Sequence, residues 1–498
     1  MRTIKFNVTA CAGSSAFHEC MMFCYYGLKS LGYEVSLHPS LDPDAINILF
    51  GSYASDWASL SAQADHIIIY NWEQAASEVT WFNLSYFHQL RNTQVWDYNQ
   101  HNVEVLKQVG ITNIEYIPMS YFPELSDISH QDPSTGLAIP QDIDVLFYGT
   151  ISPRRKRTLD AIRARGLHVV STENMQVIGK QRAELIARAK VVLNIHYYET
   201  VGIFEIARVS YLLANHKAVI SELSPHTDIE PDIKDAILTG SLDDLPELCW
   251  QLVHDDVRRI ALEQKGFEIF SRRNAAAILK PAVEKYLANL DAPPQTPVIP
   301  PLPSLLNLGA GLRWCFNALN IDPRADYSPD IVFDINLPIP FGQPFESWRF
   351  GQVKLSQGYF NKIIAKDLFQ CCDNFIQVLT NCLDLLAEDG ILELEVPHDM
   401  SYGAWALIET KRTFNEQTWG KLLNNWWQYG WSTHRFDVIN QSFMVTNKVG
   451  VDALQQYDNN WEAVLKIPRA IDALGVTLRK RPLTQEEKRQ LPSNKFIQ

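Results

Sequence analysis

Six of the 13 residues from Asp291 to Pro303, DAPPQTPVIPPLP, are proline. Proline lacks the N–H that a helix interior or a sheet ladder requires, so such a stretch runs as an extended, semi-rigid spacer. It parts the 498-residue chain into residues 1–290 and residues 304–498, each of which must bury a core of its own. At roughly 150 residues per domain, the length of the first part leaves room for two units and that of the second for one.

The order of elements defines the fold class as α/β. In the first part, short apolar runs at Ile4–Val8, Ala45–Phe50, His66–Tyr70, Gln94–Asp97, Asp144–Tyr148, Val191–Ile195 and Ala218–Ser221 alternate with helical segments such as Phe17–Leu31, Arg154–Arg165 and Phe204–Leu213. Alternation of this kind predicts parallel sheets covered by helices. Residues 1–125 and 140–290 are expected as two Rossmann-like lobes, hinged over Leu125–Ile139. In the second part, strands at Leu305–Leu308, Ala318–Ile321, Ile331–Asp334, Lys362–Ala365, Ile391–Val396 and Arg435–Ile439 predict a third doubly wound domain over residues 304–450. The spacer covers residues 291–303, and residues 451–498 are expected as a helical extension or tail.

Composition excludes several classes. Apolar residues at 46% and charged residues at 20% are globular rather than disordered. A net charge of −13 argues against a broad nucleic-acid footprint, which needs a basic face. The eight cysteines form no C-x-x-C pair, so no metal site is expected and the thiols read as reduced and cytoplasmic. The N-terminus lacks the apolar core of a signal peptide, and no run reaches the ~18 apolar residues of a membrane span. A peripheral membrane contact stays compatible with this pattern.

Two stretches of the first part carry chemistry. In Val145-Leu-Phe-Tyr-Gly-Thr-Ile-Ser-Pro-Arg-Arg-Lys-Arg157, a strand turns at Gly149 into a helix headed by cations, among them Arg154 and Arg155. A helix N-terminus attracts phosphate oxygens, and guanidinium groups present forked donors to a diphosphate. In Val191–Glu222, a buried strand leads to His196, Glu199 and Gly202, then to a helix bearing Glu205 and Arg208. This second segment resembles the donor-binding segment of GT-B glycosyltransferases of the retaining, nucleotide-sugar-using kind. The resemblance spans residues 1–285 and implies that Glu205 binds the nucleotide ribose, with Glu199 or His196 facing the donor sugar. It departs from the family in the spacing of Glu199 and Glu205 and in His216 and Ala218 of the following turn. In the first lobe, His18 and Glu19 follow the first strand. Glu73 and Asp97 stand at strand ends, where open parallel sheets bind ligands. His18, Glu19, Glu73 and Asp97 are the acid/base candidates, with Trp72 and Trp96 beside them as stacking surfaces.

In the second part, Leu305-Leu-Asn-Leu-Gly-Ala-Gly311 ends a strand in a Gly-x-Gly turn that lets a ligand lie against the backbone. Asn320-Ile-Asp322 and Asp330-Ile-Val-Phe-Asp334 end the next two strands in carboxylates, and Asp389-Gly-Ile-Leu-Glu-Leu-Glu-Val-Pro397 supplies the fifth. The ordered series resembles class I S-adenosylmethionine-dependent methyltransferases over residues 304–445. It implies that Gly309, Ala310 and Gly311 cradle the methionine end of S-adenosylmethionine, that Asp322 binds its ribose and that Asp334 lines the adenine pocket. Leu368-Phe-Gln-Cys-Cys372 replaces the family's Leu-Glu-His, and His398, with Asp399, offers an alternative base.

Together these readings predict a bifunctional transferase. It would take a nucleotide sugar as donor and S-adenosylmethionine as cofactor, with a glycan, lipid-linked saccharide or protein as acceptor. One half acting only as a positioning module, or a non-catalytic nucleotide- or glycan-binding protein, are the alternatives.

Overall fold

The computed structural model describes residues 4–11, 16–75, 82–132, 134–172, 177–197, 204–225, 227–290 and 298–491. The chain divides into two compact units, Met1–Thr296 and Pro297–Gln498, so the break falls inside the proline stretch.

The first unit holds two parallel sheets. One is built from β1 (Lys5–Ala10), β2 (Glu34–Ser36), β3 (Ile46–Phe50), β4 (Ile67–Asn71), β5 (Gln94–Asp97) and β6 (Ile114–Tyr116), in the order β2-β1-β3-β4-β5-β6. The other comprises β7 (Ile143–Phe147), β8 (Val169–Ser171), β9 (Ala189–Asn194), β10 (Ala218–Glu222) and β11 (Leu238–Gly240), ordered β11-β10-β9-β7-β8. All neighbouring pairs run parallel. Burial on both faces explains why β3, β4 and β10 are buried at every position. In each sheet the strand order reverses once, at β1/β3 and at β7/β9, and the loops beyond those strand ends form the crevices where open sheets hold ligands.

The lobes are not consecutive stretches of chain. Helix Ala275–Asn289, read from sequence as part of residues 140–290, returns to the first lobe and packs on helix His18–Ser30. Gly27 permits the approach, because a Cβ there would stand 2.5 Å from Leu279 Cδ1 and 3.4 Å from Ala275 Cβ. Backbone hydrogen bonds between Tyr121 and both Arg273 and Ala275 join the outgoing and returning strands of the crossing. The expected hinge segment leans on the second lobe: Ser126 Oγ donates to the Ala214 carbonyl and the Ile128 N–H to Asn215 Oδ1. No helix among the described residues is long and apolar enough to cross a membrane.

The second unit is one mixed sheet, with a two-stranded hairpin, β15 (Pro344–Ser347) and β16 (Gly351–Lys354), beside it. The sheet contains β12 (Leu305–Leu308), β13 (Leu319–Asp322), β14 (Ile331–Val332), β17 (Phe360–Lys366), β18 (Leu386–Pro397), β19 (His434–Met444) and β20 (Ala473–Pro482), ordered β14-β13-β12-β17-β18-β20-β19. The strands from β14 to β18 are parallel; β20 runs antiparallel between β18 and β19. Residues 451–498 are thus no simple tail, because they supply an interior strand whose Leu474, Val476 and Leu478 are buried. The order reverses between β12 and β17, beside the glycine turn.

Under that turn lies a buried polar network. Asn307 Nδ2 donates to Asn320 Oδ1 at 2.9 Å, and Asn320 Nδ2 donates to Asp330 Oδ2 at 2.9 Å. Arg349 Nη2 then meets Asp330 Oδ2 at 2.7 Å, with both side chains 0% exposed. The guanidinium also donates to the carbonyls of Phe316 and Ala318, which fixes the loop before β13. Arg349→Met leaves Asp330 buried without its cation and should cost the second unit about 3–5 kcal/mol in urea unfolding. Pairing it with Asp330→Leu should recover only the part due to the unpaired charge, because the buried Asn320 N–H also loses its acceptor.

Candidate active site

The rim of the second lobe is built at the β7/β9 reversal. Gly149 follows β7 with φ +129°, a conformation that side-chain-bearing residues rarely adopt, and a Cβ there would lie 3.1 Å from Arg208 Nη2. Helix Pro153–Arg163 then starts with Ser152 as its cap. Of the four cations at its head, Arg154 and Arg155 point back into the protein, whereas Lys156 and Arg157 are exposed. Arg155, 3% exposed, donates from Nε and Nη2 to the Ile195 carbonyl and from Nη1 to the Thr150 carbonyl. Burial, and then repulsion from Arg208, pulls its pKa down to about 10. Arg154 forms a fork with both oxygens of Glu222 and donates to the His196 carbonyl at 3.2 Å.

His196 is locked into the same cluster. Its N–H donates to Glu222 Oε2 at 3.1 Å, and its Nε2 lies 3.0 Å from Thr227 Oγ1. Burial pushes the Glu222 carboxyl up, but the hydrogen bonds from Arg154 and the His196 N–H, together with the nearby positive charge, outweigh it and hold the group below its ordinary range. Arg208 differs from the other two arginines: its Nη1 donates to Asn194 Oδ1 at 2.8 Å, and among the described residues it meets no carboxylate. Its guanidinium stands over the Phe147 and Tyr148 rings, at 5.7 and 5.3 Å from their centroids. Glu205 occupies the cap position of helix Ile206–Ala214. Glu199 lies outside the described residues.

The first lobe contributes the ends of β4 and β5. Asn71 grips the next turn from both sides: its Oδ1 accepts from the Glu73 N–H at 3.0 Å, and its Nδ2 donates to the Glu73 carbonyl at 2.9 Å. Asn102 Nδ2 donates to the same carbonyl at 3.0 Å. Asp97, 0% exposed, accepts from Asn71 Nδ2 at 2.6 Å, from the Asn99 N–H at 2.8 Å and from Asn102 Nδ2 at 3.3 Å. Burial raises it to about 8 despite those donors. Its surroundings make Asp97 a support for the loop that carries Glu73.

Glu73 itself is half-buried, and burial followed by repulsion from Glu205 lifts its carboxyl to about 7. Carboxylates from opposite lobes are therefore near enough to repel each other. Glu19 is engaged elsewhere, in an ion pair with Arg182 that ties the first lobe to the second. His18 stands exposed at the start of its helix. Trp72 stacks on Tyr98 with centroids 4.5 Å apart and planes at 3°, whereas Trp96 is 0% exposed and belongs to the core.

In the second unit, the β12/β17 reversal carries the glycine turn. Gly309 has φ +64°, and a Cβ on it would meet Leu368 Cδ1 at 2.9 Å. The N–H groups of Gly309 and Ala310 both donate to the Ile321 carbonyl. Asp322 Oδ2 accepts from the Gly311 N–H and Oδ1 from the Arg324 N–H, both at 2.9 Å. Arg313 and Asp367 pair at 2.7 Å across the loops that follow β12 and β17. Asp334 is exposed and holds Asn336, its Oδ1 accepting from the backbone N–H at 3.0 Å. His398 is buried after β18, with Nδ1 3.2 Å from Asp399 Oδ1 and Nε2 3.7 Å from Glu416 Oε2.

No protein-family model matches the chain. Among curated proteins, it is similar to two uncharacterised proteins of Acanthamoeba polyphaga mimivirus. One is 32% identical over 124 residues, 23% of this chain and 40% of that protein; the other is 31% identical over 93 residues, 19% and 10% respectively. The chain thus spans less than half the length of either relative. Solved structures similar to the chain include a glycosyltransferase of avilamycin A biosynthesis, at 14% identity, TM-score 0.39, and coverage of 58% of this chain and 99% of that one. The T4 phage BGT in complex with its UDP-glucose substrate is another, at 15% identity, TM-score 0.39, and coverage of 57% and 99%.

The Arg154–Glu222 fork gives a signed prediction. A carboxyl held below its ordinary range contributes stability that is present above the unfolded value of about 4.3 and lost as pH falls through the folded value. Arg154→Ala removes that contribution, so its deficit in urea unfolding should be large at neutral pH and narrow below about pH 4.

Proposed function

We propose that the first unit transfers a glycosyl group from a nucleotide-sugar donor to an acceptor hydroxyl in the cleft between its sheets. One observation carries the reading: Glu73 of the first lobe lies within charge range of Glu205 of the second, and Glu205 caps the helix whose Arg208 stands against Gly149. Arg208 supplies the cation for the diphosphate, and Gly149 lets the ligand approach the backbone. Arg154 and Arg155, already spent on Glu222 and on backbone carbonyls, hold the loops in place. Glu205 faces the nucleotide ribose, as the GT-B resemblance implies. Glu73 accepts the proton of the acceptor hydroxyl as that oxygen bonds to the anomeric carbon, a direct displacement that inverts this carbon and so departs from the retaining kind that the donor segment resembles. The bond from that carbon to the diphosphate oxygen breaks, and the nucleoside diphosphate leaves with the electron pair.

With UDP-glucose as the first probe, Glu73→Gln should lower kcat for donor turnover by about 10²–10⁴, the usual worth of a general base, without loss of UDP affinity in calorimetry. In the wild type, kcat should rise with pH to a plateau above about 7, because the base must be ionised. Glu205→Gln removes the repulsion that helps to raise Glu73 and should move that rise to lower pH. A pH-independent kcat would exclude Glu73 as the base.

For the second unit, we infer an S-adenosylmethionine site at the β12/β17 reversal. The support is the positive-φ turn at Gly309 and Gly311, whose last N–H is already held by Asp322. Each Asp322 oxygen keeps a lone pair for a ribose hydroxyl beyond the backbone N–H it accepts. When bound, the sulfonium would supply a methyl group to the glycan or glycosylated acceptor. S-Adenosylmethionine should raise the melting temperature of the second unit's transition, since a ligand of the native state stabilises it by mass action. Asp322→Ala should abolish the shift.

A further inference from the structure

The first unit contains a cavity of about 200 Å³ lined by residues of both lobes. Tyr98, Asn99 and Tyr116 line it from the first lobe, and Phe204, Asp228 and Glu230 from the second. It lies beyond β5, β6 and β10, away from Gly149. Its chemistry differs from that of the Arg208 rim in two respects.

The first is its aromatic wall. Tyr98, 8% exposed, is held by the parallel ring of Trp72, and Tyr116 and Phe204 add rings to the lining. Flat aromatic faces suit the C–H face of a pyranose ring, whose hydroxyls project around the rim. The second is charge. Glu230 accepts from Tyr116 Oη at 2.7 Å through Oε1 and from Arg273 at 2.6 Å through Oε2. Arg273 also forms a fork with Asp232, so one guanidinium is shared by two carboxylates. Asp228 accepts from Asn99 Nδ2 at 2.8 Å, and among the described residues it has no cationic partner. A hydroxyl can donate to Asp228, which is exposed at the edge of the cavity, whereas a phosphate or carboxylate would meet a like charge there.

We propose that this cavity is the acceptor subsite and that it takes an uncharged pyranoside while rejecting phosphorylated and uronic sugars, with Asp228 as the selecting residue. The inference rests on the glycosyl-transfer reading for the word acceptor, but the binding it describes can be measured without turnover.

The test uses the full chain, with methyl glucoside, methyl galactoside and methyl mannoside as uncharged probes and glucuronate and glucose 6-phosphate as anionic ones. Saturation-transfer NMR reads sugar binding, and calorimetry with UDP reads the donor site. At least one methyl glycoside should receive saturation through its ring protons, and the two anions should receive none. Asp228→Lys should weaken glycoside binding at least about tenfold, with UDP affinity unchanged. Asp228→Asn, a milder change that guards against misfolding, should admit glucuronate. The proposal is overturned if no methyl glycoside binds, or if glucuronate binds the wild type equally well. It is also overturned if both variants leave sugar binding unchanged, or if they weaken UDP instead, which would assign the cavity to the nucleotide. Glycoside binding without UDP binding would uphold the cavity and sink the glycosyl-transfer reading, so the two failures are distinguishable.

Discussion

The second lobe depends on one buried guanidinium. Arg155 sits at the head of a helix yet turns away from solvent and binds the carbonyls of Thr150 and Ile195, one beyond β7 and the other beyond β9. These carbonyls flank the place where the strand order reverses, where an open sheet has no neighbouring strand to satisfy them. An unmet buried carbonyl would cost about 1–3 kcal/mol, and a charged donor offsets that cost while holding both loops at a set spacing. Arg154 repeats the device one layer out through Glu222. With two arginines committed to structure, Arg208, brought in by a helix from elsewhere in the chain, is the one of the three that meets no carboxylate among the described residues.

This division of labour marks the limit of what the sequence makes legible. Alternating strand and helix, the break in the proline stretch and the glycine turns after β7 and β12 are all local patterns, and each is visible in the chain. The arginine run is visible too, but which cation faces the cleft depends on the phase of the helix and on carbonyls supplied by β9. Asp97 illustrates the same difficulty. At a strand end among aromatic residues it reads as a base, whereas Asn71, Asn99 and Asn102 converge on it only in the folded lobe. Strand β20 escapes because its alternation ends in Arg479-Lys-Arg481. Lys480 nevertheless turns inward and donates to the Leu386 carbonyl at 2.6 Å, a use of lysine that a hydrophobic pattern does not register.

Both units use asparagine in the same way. Asn7 of β1 donates to Asn47 of β3 at 2.9 Å, and Asn307 of β12 donates to Asn320 of β13 at 2.9 Å. In each case a side-chain amide in an otherwise apolar strand also reaches loop backbone: Asn7 binds Ser40 and His38, and Asn307 binds Arg313. Such amides fix the path of loops that neither helix nor sheet constrains. A buried polar group that is fully satisfied specifies one arrangement more sharply than an apolar residue of equal size. Asparagine within an apolar run is therefore a signal for the loops of these sheets, and Asn71, which holds the backbone of Glu73, fits the same reading.

The return of helix Ala275–Asn289 to the first lobe has a consequence for how the chain is made. The first lobe's sheet is complete once β6 has been synthesised, but the apolar surface around Gly27 stays uncovered until the helix leaves the ribosome, after the whole second lobe. Synthesis at about 5–20 residues per second leaves that surface exposed for many seconds. The second lobe must therefore form while its partner is still incomplete. Neither lobe can be shuffled to another protein by a single cut between β6 and β7, so the pair is inherited as one piece although it folds around two sheets.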